Sequence, residues 1–230
     1  MIGVLLLGLL VGMKHALEAD HVAAVATLAA RSASLSDRVK LAGMWGAGHA
    51  GTLLLLGGTV LGLGLSLPDH VARAFEGVVA LMLILLGADV LRRLRARGVH
   101  FHWHRHERGP AHFHAHAHVA GSARFRHGHE HSARLLPRAL LVGSVHGLAG
   151  SAALVVLSLE LTRSTPQALL YLGAFALGSI AGMAALSLTI SLPLCRSSER
   201  LGGAWQLVEG ALGVVTIGIG CWMAALLLGA

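Results

Sequence analysis

The sequence contains little charge, few aromatic residues and only two cysteines. Charged residues make up 13% of its 230 residues and hydrophobic residues 55%, whereas ordinary soluble domains are about 25% charged. Together with a mean hydropathy of +0.70, these fractions indicate that the chain is solvated by a lipid bilayer. Cys195 and Cys221 are too few for a disulfide framework, and we interpret both as packing residues.

Long apolar segments dominate what is present, and each is long enough to cross a bilayer, which takes about 20 residues. They predict an all-α polytopic membrane protein of about six transmembrane helices. Pro68 and Asp69 form a turn signal between the second and third segments. No basic residue precedes the first segment, so we expect it to remain a helix and not to be removed as a signal peptide. The six segments cover roughly residues 2–30, 41–67, 71–91, 136–161, 168–194 and 204–228.

The basic residues between these segments are distributed very unequally. The first, third and fifth loops contain fifteen Lys and Arg residues, whereas the opposite side has only Arg73 and Arg163. Because basic loops stay in the cytoplasm, we expect both termini outside a bacterial-type inner membrane and the long third loop inside. This topology accounts for the net charge of +7, so no nucleic acid partner is expected.

The two halves of the sequence resemble each other at an offset of 130 to 133 residues. A duplicated unit of three helices enters the membrane from opposite sides, which gives an inverted repeat with its substrate site near the midplane. A chance match between glycine-rich segments is the alternative. The predicted division is an N-terminal half at 1–97, a loop at 98–134 and a C-terminal half at 135–230. The matching segments are 11–17 with 142–148, 48–49 with 178–179, and 76–87 with 209–220.

Five ionisable residues lie near the middle of the first apolar segment: Lys14, His15, Glu18, Asp20 and His21. Each Lys or Asp at the centre of a membrane helix costs about 2.5 to 3.5 kcal/mol on insertion scales. Imidazole and carboxylate groups together suit nickel, cobalt, zinc or iron, and a bound cation would compensate the carboxylate charge. We therefore interpret His15, Glu18, Asp20 and His21 as candidate metal ligands.

The spacing of these residues does not fit one face of a straight helix. At about 100° per residue, Asp20 and His21 lie roughly 140° and 240° from His15. Either the ion contacts only some of them or the helix is broken, and Gly12 just upstream favours a break. The alternative is a water-exposed loop that joins two short helices.

Two further membrane histidines are candidate ligands. His49 lies in a glycine-rich segment; we interpret it as a ligand or pathway residue, and the alternative is a structural hydrogen bond between helices. His146 aligns with His15 in the repeat but has no carboxylate neighbours, and both interpretations remain open for it. We interpret Glu76 and Glu209 as interfacial, and Asp89 as an ion-pair partner of the adjacent arginines.

Eleven of the sixteen histidines lie in the third loop. The loop has no apolar periodicity, so we expect it to be disordered without metal, and His-rich tracts bind transition ions. A low-complexity linker or an introduced tag are the alternatives. The loop histidines are His100, His102, His104, His106, His112, His114, His116, His118, His127, His129 and His131.

The segment His15-Ala16-Leu17-Glu18-Ala19-Asp20-His21 resembles the nickel/cobalt transporter superfamily, whose signature is His, four residues, then Asp-His within a membrane helix. Gly48-His49 resembles a second motif of that family, and Val145–Ser151 is similar to the branch of urease accessory permeases. The resemblance implies a nickel or cobalt permease. It also implies that His15, Asp20 and His21 are essential for the ion and that His49 contributes.

The function expected is secondary transport of a divalent transition metal ion, most simply nickel or cobalt, with zinc or iron as alternatives. Neither a P-loop nor the His-Glu-x-x-His arrangement of metallohydrolases occurs, so we expect no enzymatic activity and no prosthetic group. Expected partners are the lipid bilayer, the ion and a cytosolic metallochaperone. An enzyme-maturation factor or a metal sensor that moves no ion is the alternative. Uptake and efflux, and the oligomeric state, remain open.

Overall fold

The computed structural model of the chain describes residues 2–29, 35–65, 67–96, 99–104, 112–117, 132–162, 164–201 and 204–229. Seven helices and one two-stranded hairpin occur within these ranges. They are α1 (Ile2–His15), α2 (Ala19–Ala29), α3 (Leu35–Gly62), α4 (Asp69–Ala96), β1 (Val99–His104), β2 (His112–Ala117), α5 (Ser132–Leu161), α6 (Thr165–Leu201) and α7 (Ala204–Gly229).

The prediction of an all-α protein is confirmed apart from the short hairpin. Within the described residues, three helices are long and apolar enough to cross a membrane: α4, α7 and the first 26 residues of α6. The bent pair of α1 and α2 adds a fourth span if it is counted as one. These described helices make the chain a membrane protein, and large apolar side chains are exposed along them where a soluble protein would carry polar ones.

The predicted turn at Pro68 and Asp69 separates α3 from α4. Gly64 has a φ of 63°, a left-handed conformation that glycine adopts without steric cost. The amide of Leu65 donates to the carbonyl of Val60 over 2.9 Å, which closes the helix end in the manner of a Schellman motif. The Pro68 carbonyl then accepts hydrogen bonds from backbone amides in the first turn of α4.

Helices of the two halves pack against each other through glycines. The most extensive contacts join α3 to α5, α4 to α7 and α1 to α6. Gly12 of α1 faces the backbone of Phe175 in α6, and Gly48 of α3 faces the backbone of Leu140 in α5. A side chain at either glycine would overlap a backbone carbonyl oxygen, so these positions allow the close helix approach that membrane bundles use in place of a hydrophobic driving force.

A substitution at Gly48 is therefore expected to destabilise the bundle. In Gly48→Ala the new Cβ overlaps the Leu140 carbonyl, and α3 and α5 must separate. Overpacking of this kind typically costs about 1 to 3 kcal/mol. We expect a lower apparent melting temperature in detergent, measured by fluorescence-detected size-exclusion chromatography after heating.

Gly51→Ala is the matched control, because it lies on the same helix and a Cβ there meets no atom within 4 Å among the described residues. Alanine is also the better helix former by about 0.5 to 1 kcal/mol, so this variant should be at least as stable as the wild type. Equal destabilisation by the two substitutions would contradict the packing argument.

The hairpin lies in the third loop and pairs histidines across its two strands. β1 and β2 are antiparallel, and the register places His100 opposite His116, His102 opposite His114, and His104 opposite His112. We call these six residues the hairpin histidines. The prediction that the loop is disordered without metal remains a prediction, because the rest of the loop lies outside the described residues.

Three minor interpretations can now be compared with the structure. Asp89 pairs with Arg92 and Arg93 at 2.8 Å each, as expected. The Trp205 indole donates to Glu209, which is buried. Cys221 is an exposed free thiol on α7, so its interpretation as a packing residue was wrong. The side chain of Cys195 lies outside the described part of the chain.

Candidate metal site

The first apolar segment is broken at the signature, as Gly12 and the helical angles suggested. The amides of Leu17 and Glu18 donate to carbonyls three residues back, at 2.9 and 3.0 Å, so α1 ends in a tightened turn. α2 starts at Ala19, and the two helix axes meet at 62°. Because of this bend, His15 and His21 do not have to share one face of a straight helix, and their side chains lie next to each other.

The second half of the broken helix is anchored in the bundle. A hydrogen bond of 3.1 Å joins the buried hydroxyls of Thr27 in α2 and Thr216 in α7. His21 is 1% exposed, so this segment is not the water-exposed loop considered as the alternative. Glu18, by contrast, has a side chain that is 58% exposed.

Four histidines lie together at the break between α1 and α2. They come from this broken segment, from α3 and from α5. His15 and His21 lie with ring centroids 4.4 Å apart, and His146 of α5 lies 4.1 Å from His21. His49 of α3 is 5.4 Å from His15 and 5.1 Å from His21. We call these four residues the histidine cluster. His21, His49 and His146 are each at most 1% exposed.

Asp20 connects two members of the cluster. One of its carboxylate oxygens accepts the Nδ1 proton of His21 at 2.9 Å and the His21 backbone amide at 2.8 Å. The other oxygen accepts from Nε2 of His146 at 2.8 Å. An ionised carboxylate only accepts, so both imidazole nitrogens that face it carry a proton. The remaining nitrogen of neutral His21, Nε2, therefore has a free lone pair.

Glu18 acts on His15 in the same way. Its carboxylate lies 3.0 Å from Nδ1 of His15, which places the proton there and leaves Nε2 of His15 as an acceptor. Carboxylates that orient a histidine through its other nitrogen are typical of protein metal sites, where they set the tautomer and increase the basicity of the ligand.

Five buried imidazole nitrogens have no hydrogen-bond partner within the described structure: Nε2 of His15, Nε2 of His21, both nitrogens of His49 and Nδ1 of His146. Burying a polar atom without a partner costs about 1 to 3 kcal/mol, so several free nitrogens at one point suit a site that binds a cation. A structural hydrogen bond was the alternative for His49, and neither ring nitrogen makes one among the described residues.

Two overlapping sets of three residues have the spacing of metal ligands. His15, His21 and His49 form one set, and Asp20, His21 and His146 form the other; within each set the ligand atoms lie within 4.8 Å of one another. Two nitrogens bound to one ion at about 2.0 to 2.1 Å are at most about 4.2 Å apart. A small contraction would therefore let either set close around an ion.

Two aromatic side chains that the sequence reasoning did not single out contact the cluster. Phe175 of α6 lies 5.3 Å from the ring of His15. Trp45 of α3 lies 5.7 Å from His21, 6.4 Å from His49 and 5.6 Å from His146. A usable signal existed, since Trp45 precedes His49 by one helical turn.

The remaining predicted ligands are the histidines of the third loop. The hairpin histidines belong to β1 and β2 in the third loop. His106, His118, His127, His129 and His131 lie outside the described residues. The structure thus brings together all six candidate residues of the membrane segments, with Glu18 at the exposed margin.

A broken membrane helix beside a buried cluster of imidazole and carboxylate groups is typical of membrane proteins that bind or move ions. The chain is 31% identical over 220 residues to the urease accessory protein UreH of Bacillus sp. (strain TB-90). The match covers 94% of this chain and 89% of that protein. No family model matches the chain, and no solved structure matches it.

The chain therefore belongs to the UreH family within the nickel/cobalt transporter superfamily. The resemblance deduced from His15, Asp20 and His21 is confirmed by this relative, and the three residues meet in the cluster.

Proposed function

We propose that the chain transports a divalent transition metal ion, nickel or cobalt, across a bacterial-type cytoplasmic membrane. The observation that carries the proposal is the group of unpartnered imidazole nitrogens in the buried histidine cluster. Imidazole nitrogen suits nickel and cobalt, and the ion is cargo and not a resident cofactor. Membership of the UreH family supports a role in nickel handling.

The ion binds the free nitrogens of His15, His21 and His49 in this proposal. Asp20 and Glu18 hold His21 and His15 by their protonated nitrogens, so their main role is to position ligands. The second set, with Asp20 and His146, shares His21 with the first.

Six membrane crossings are proposed, with the pair of α1 and α2 as one broken span. Helices α3 and α5 contain 28 and 30 residues, and at 1.5 Å per residue each is about 42 to 45 Å long, enough to cross a bilayer. The distribution of Lys and Arg favours both termini outside and the His-rich loop in the cytoplasm. A cytosolic metallochaperone would then have access to that loop.

An inverted repeat of three helices is supported by the symmetry of the glycine contacts. Gly12 faces the backbone of Phe175, and Gly143 faces that of Trp45; these two contacts are equivalent at the repeat offset. The same holds for Gly178 facing Leu9 and Gly48 facing Leu140, and for Gly220 facing Ala80 and Gly87 facing Gly213. Three pairs of equivalent contacts favour a duplication over chance similarity of glycine-rich segments. The two halves would rock about the cluster to alternate access.

The test is counterflow of radioactive nickel in proteoliposomes that are preloaded with unlabelled nickel. We expect exchange above that of protein-free vesicles, with cobalt as the most effective competitor and zinc or iron weaker. A correctly folded protein that exchanges no nickel would contradict transport. It would favour the alternative that the chain is a urease accessory or sensing protein that binds metal without moving it.

The hairpin histidines are proposed as an auxiliary metal site on the cytoplasmic side of the membrane, where the His-rich loop is proposed to lie. Residues directly opposite in an antiparallel pair have Cβ atoms about 4.5 to 5.5 Å apart, and the register supplies three such His pairs. The paired histidines would capture or buffer ions near the pathway.

Replacing the hairpin histidines by threonine should raise the apparent KM for nickel several-fold and leave the maximal exchange rate nearly unchanged. Threonine keeps the β propensity, so the loss would be of ligands and not of strands. Initial rates of nickel exchange against concentration measure both parameters. The control carries threonine at positions 101, 103, 113 and 115 and retains every histidine. Complete loss of exchange in a stable variant would place the hairpin in the pathway itself.

A further inference from the structure

The histidine cluster lies between two aromatic rings that come from positions matched at the repeat offset. Trp45 is 0% exposed and Phe175 is 1% exposed. Trp45 lies four residues before His49, and Phe175 lies four residues before Ser179, which is the residue that matches His49 in the repeat. Each ring contacts at least one cluster histidine directly.

The two rings lie on opposite sides of the cluster along the bundle. Gly46 contacts Ile180, and Gly58 contacts Leu169, so α3 and α6 run antiparallel. Position 175 of α6 is therefore level with position 51 or 52 of α3, about 10 Å from Trp45 along the axis at 1.5 Å per residue. His49 lies between these two levels.

The rings form a continuous series from one aromatic residue to the other. Phe175 contacts His15 at 5.3 Å, His15 contacts His21 at 4.4 Å, and His21 contacts His146 at 4.1 Å. His146 in turn contacts Trp45 at 5.6 Å. An ion held by the cluster could leave along this series only past one of the two aromatic rings.

The two sides differ in what lies beyond the ring. Beside Trp45 is a small pocket of about 10 Å³, lined in part by Arg38, Leu41 and Ser187. Arg38 and Leu41 precede Trp45 on α3, so the pocket lies toward the start of that helix. Phe175 itself packs in a buried apolar cluster that includes Leu53 and Leu172. The pocket beside Trp45 thus includes polar side chains, whereas the cluster beside Phe175 is apolar.

We propose that Trp45 and Phe175 are the two gates of the transport pathway, each closing the histidine cluster toward one membrane face. The inference rests on the proposed transport function and adds the residues that separate the site from water on each side. Apolar constrictions are an effective barrier to a hydrated ion. Trp45 closes the face at which α3 begins, and Phe175 closes the face at which α6 begins.

A cysteine in the cluster can report which face is open. The reporter is His49→Cys in a chain whose Cys195 and Cys221 are replaced by serine, reconstituted in one orientation. A charged, membrane-impermeant methanethiosulfonate is applied to one face at a time. With both aromatic residues present, we expect slow modification from either face, because position 49 is 0% exposed.

Trp45→Ala should raise the labelling rate from the α3-start face alone, and Phe175→Ala from the opposite face alone. We expect at least about a tenfold rise, which corresponds to roughly 1.4 kcal/mol of barrier. Trp45→Phe should restore the slow rate, and Trp45→Leu provides a second gate variant if the alanine variant does not fold. Tyr171→Ala is the control, since Tyr171 is 0% exposed and makes no ring contact with a histidine among the described residues.

Acceleration from the same face by both substitutions, or no acceleration by either, would overturn the gates. Acceleration by Tyr171→Ala equal to that of Phe175→Ala would also do so, because it would indicate general loosening of α6. The labelling needs no nickel, so the two proposals can fail separately. Sided labelling without nickel counterflow would refute transport and leave the two closures in place.

Discussion

Replacement of His21 by alanine is expected to abolish nickel exchange while the protein still inserts and folds. His21 belongs to both sets of potential ligands, and its Nε2 is one of the unpartnered buried atoms. Without it, the first set keeps His15 and His49, and the second keeps Asp20 and His146. Neither remaining pair provides the three protein ligands that transition metal sites commonly use.

Two measurements separate loss of function from loss of structure. Equilibrium dialysis with nickel should show loss of the tight site, and size-exclusion chromatography should give the wild-type profile. His21→Gln, which fills more of the space, should also be inactive. His70→Ala is the matched control, because His70 is an exposed histidine at the start of α4. If His21→Ala exchanged nickel at the wild-type rate, the signature would not be part of the transport site.

Asp20→Asn is expected to have the second largest effect. The Asp20 carboxylate accepts from the ring and backbone of His21 and from the ring of His146. An amide keeps only one acceptor oxygen, so its NH₂ group would face a proton of one of these rings. The change also removes a negative charge that would compensate the ion. Loss of such an orienting group typically weakens metal binding by about 10- to 100-fold.

Glu18→Gln makes the same chemical change two residues away and provides the comparison. Within the described structure, the one histidine paired with Glu18 is His15, and the Glu18 side chain is 58% exposed against 18% for Asp20. Water can replace much of what it provides, and exposed ion pairs contribute about 0 to 1 kcal/mol. Nickel affinity should therefore fall much less than in Asp20→Asn. An equal or larger loss in Glu18→Gln would contradict the positioning role of Asp20.

The sequence predicted the elements well where a long apolar run had no competing interpretation. The helical segments at 71–91 and 204–228 correspond to α4 and α7. The long first segment at 2–30 is broken at the signature, which was one of the two possibilities that the helical angles left open. The hairpin was not predicted, because histidine at alternate positions carries no apolar periodicity. Strand pairing there depends on register between segments that local propensity does not determine.

The site was predicted in part. His15, Asp20 and His21 could be chosen because ionisable residues are costly in a bilayer, and their spacing matched a known signature. The roles of the two carboxylates could not be chosen, since a carboxylate that binds a metal and one that orients an imidazole are identical in sequence. Trp45 and Phe175 were missed for a similar reason, because a buried aromatic residue in an apolar helix is usually part of the packing.

The sequence by itself determined that this chain lies in a membrane and that its ionisable residues concentrate at one point of the first segment. Both follow from transfer free energies, which depend on composition and position along the chain. Only the tertiary structure decided that His49 and His146 join His15 and His21, and which nitrogen of each ring is free. Those properties depend on contacts between helices that are distant in sequence. His21 and His146, for example, are more than 100 residues apart. Such contacts result from tertiary packing, which local sequence patterns do not determine.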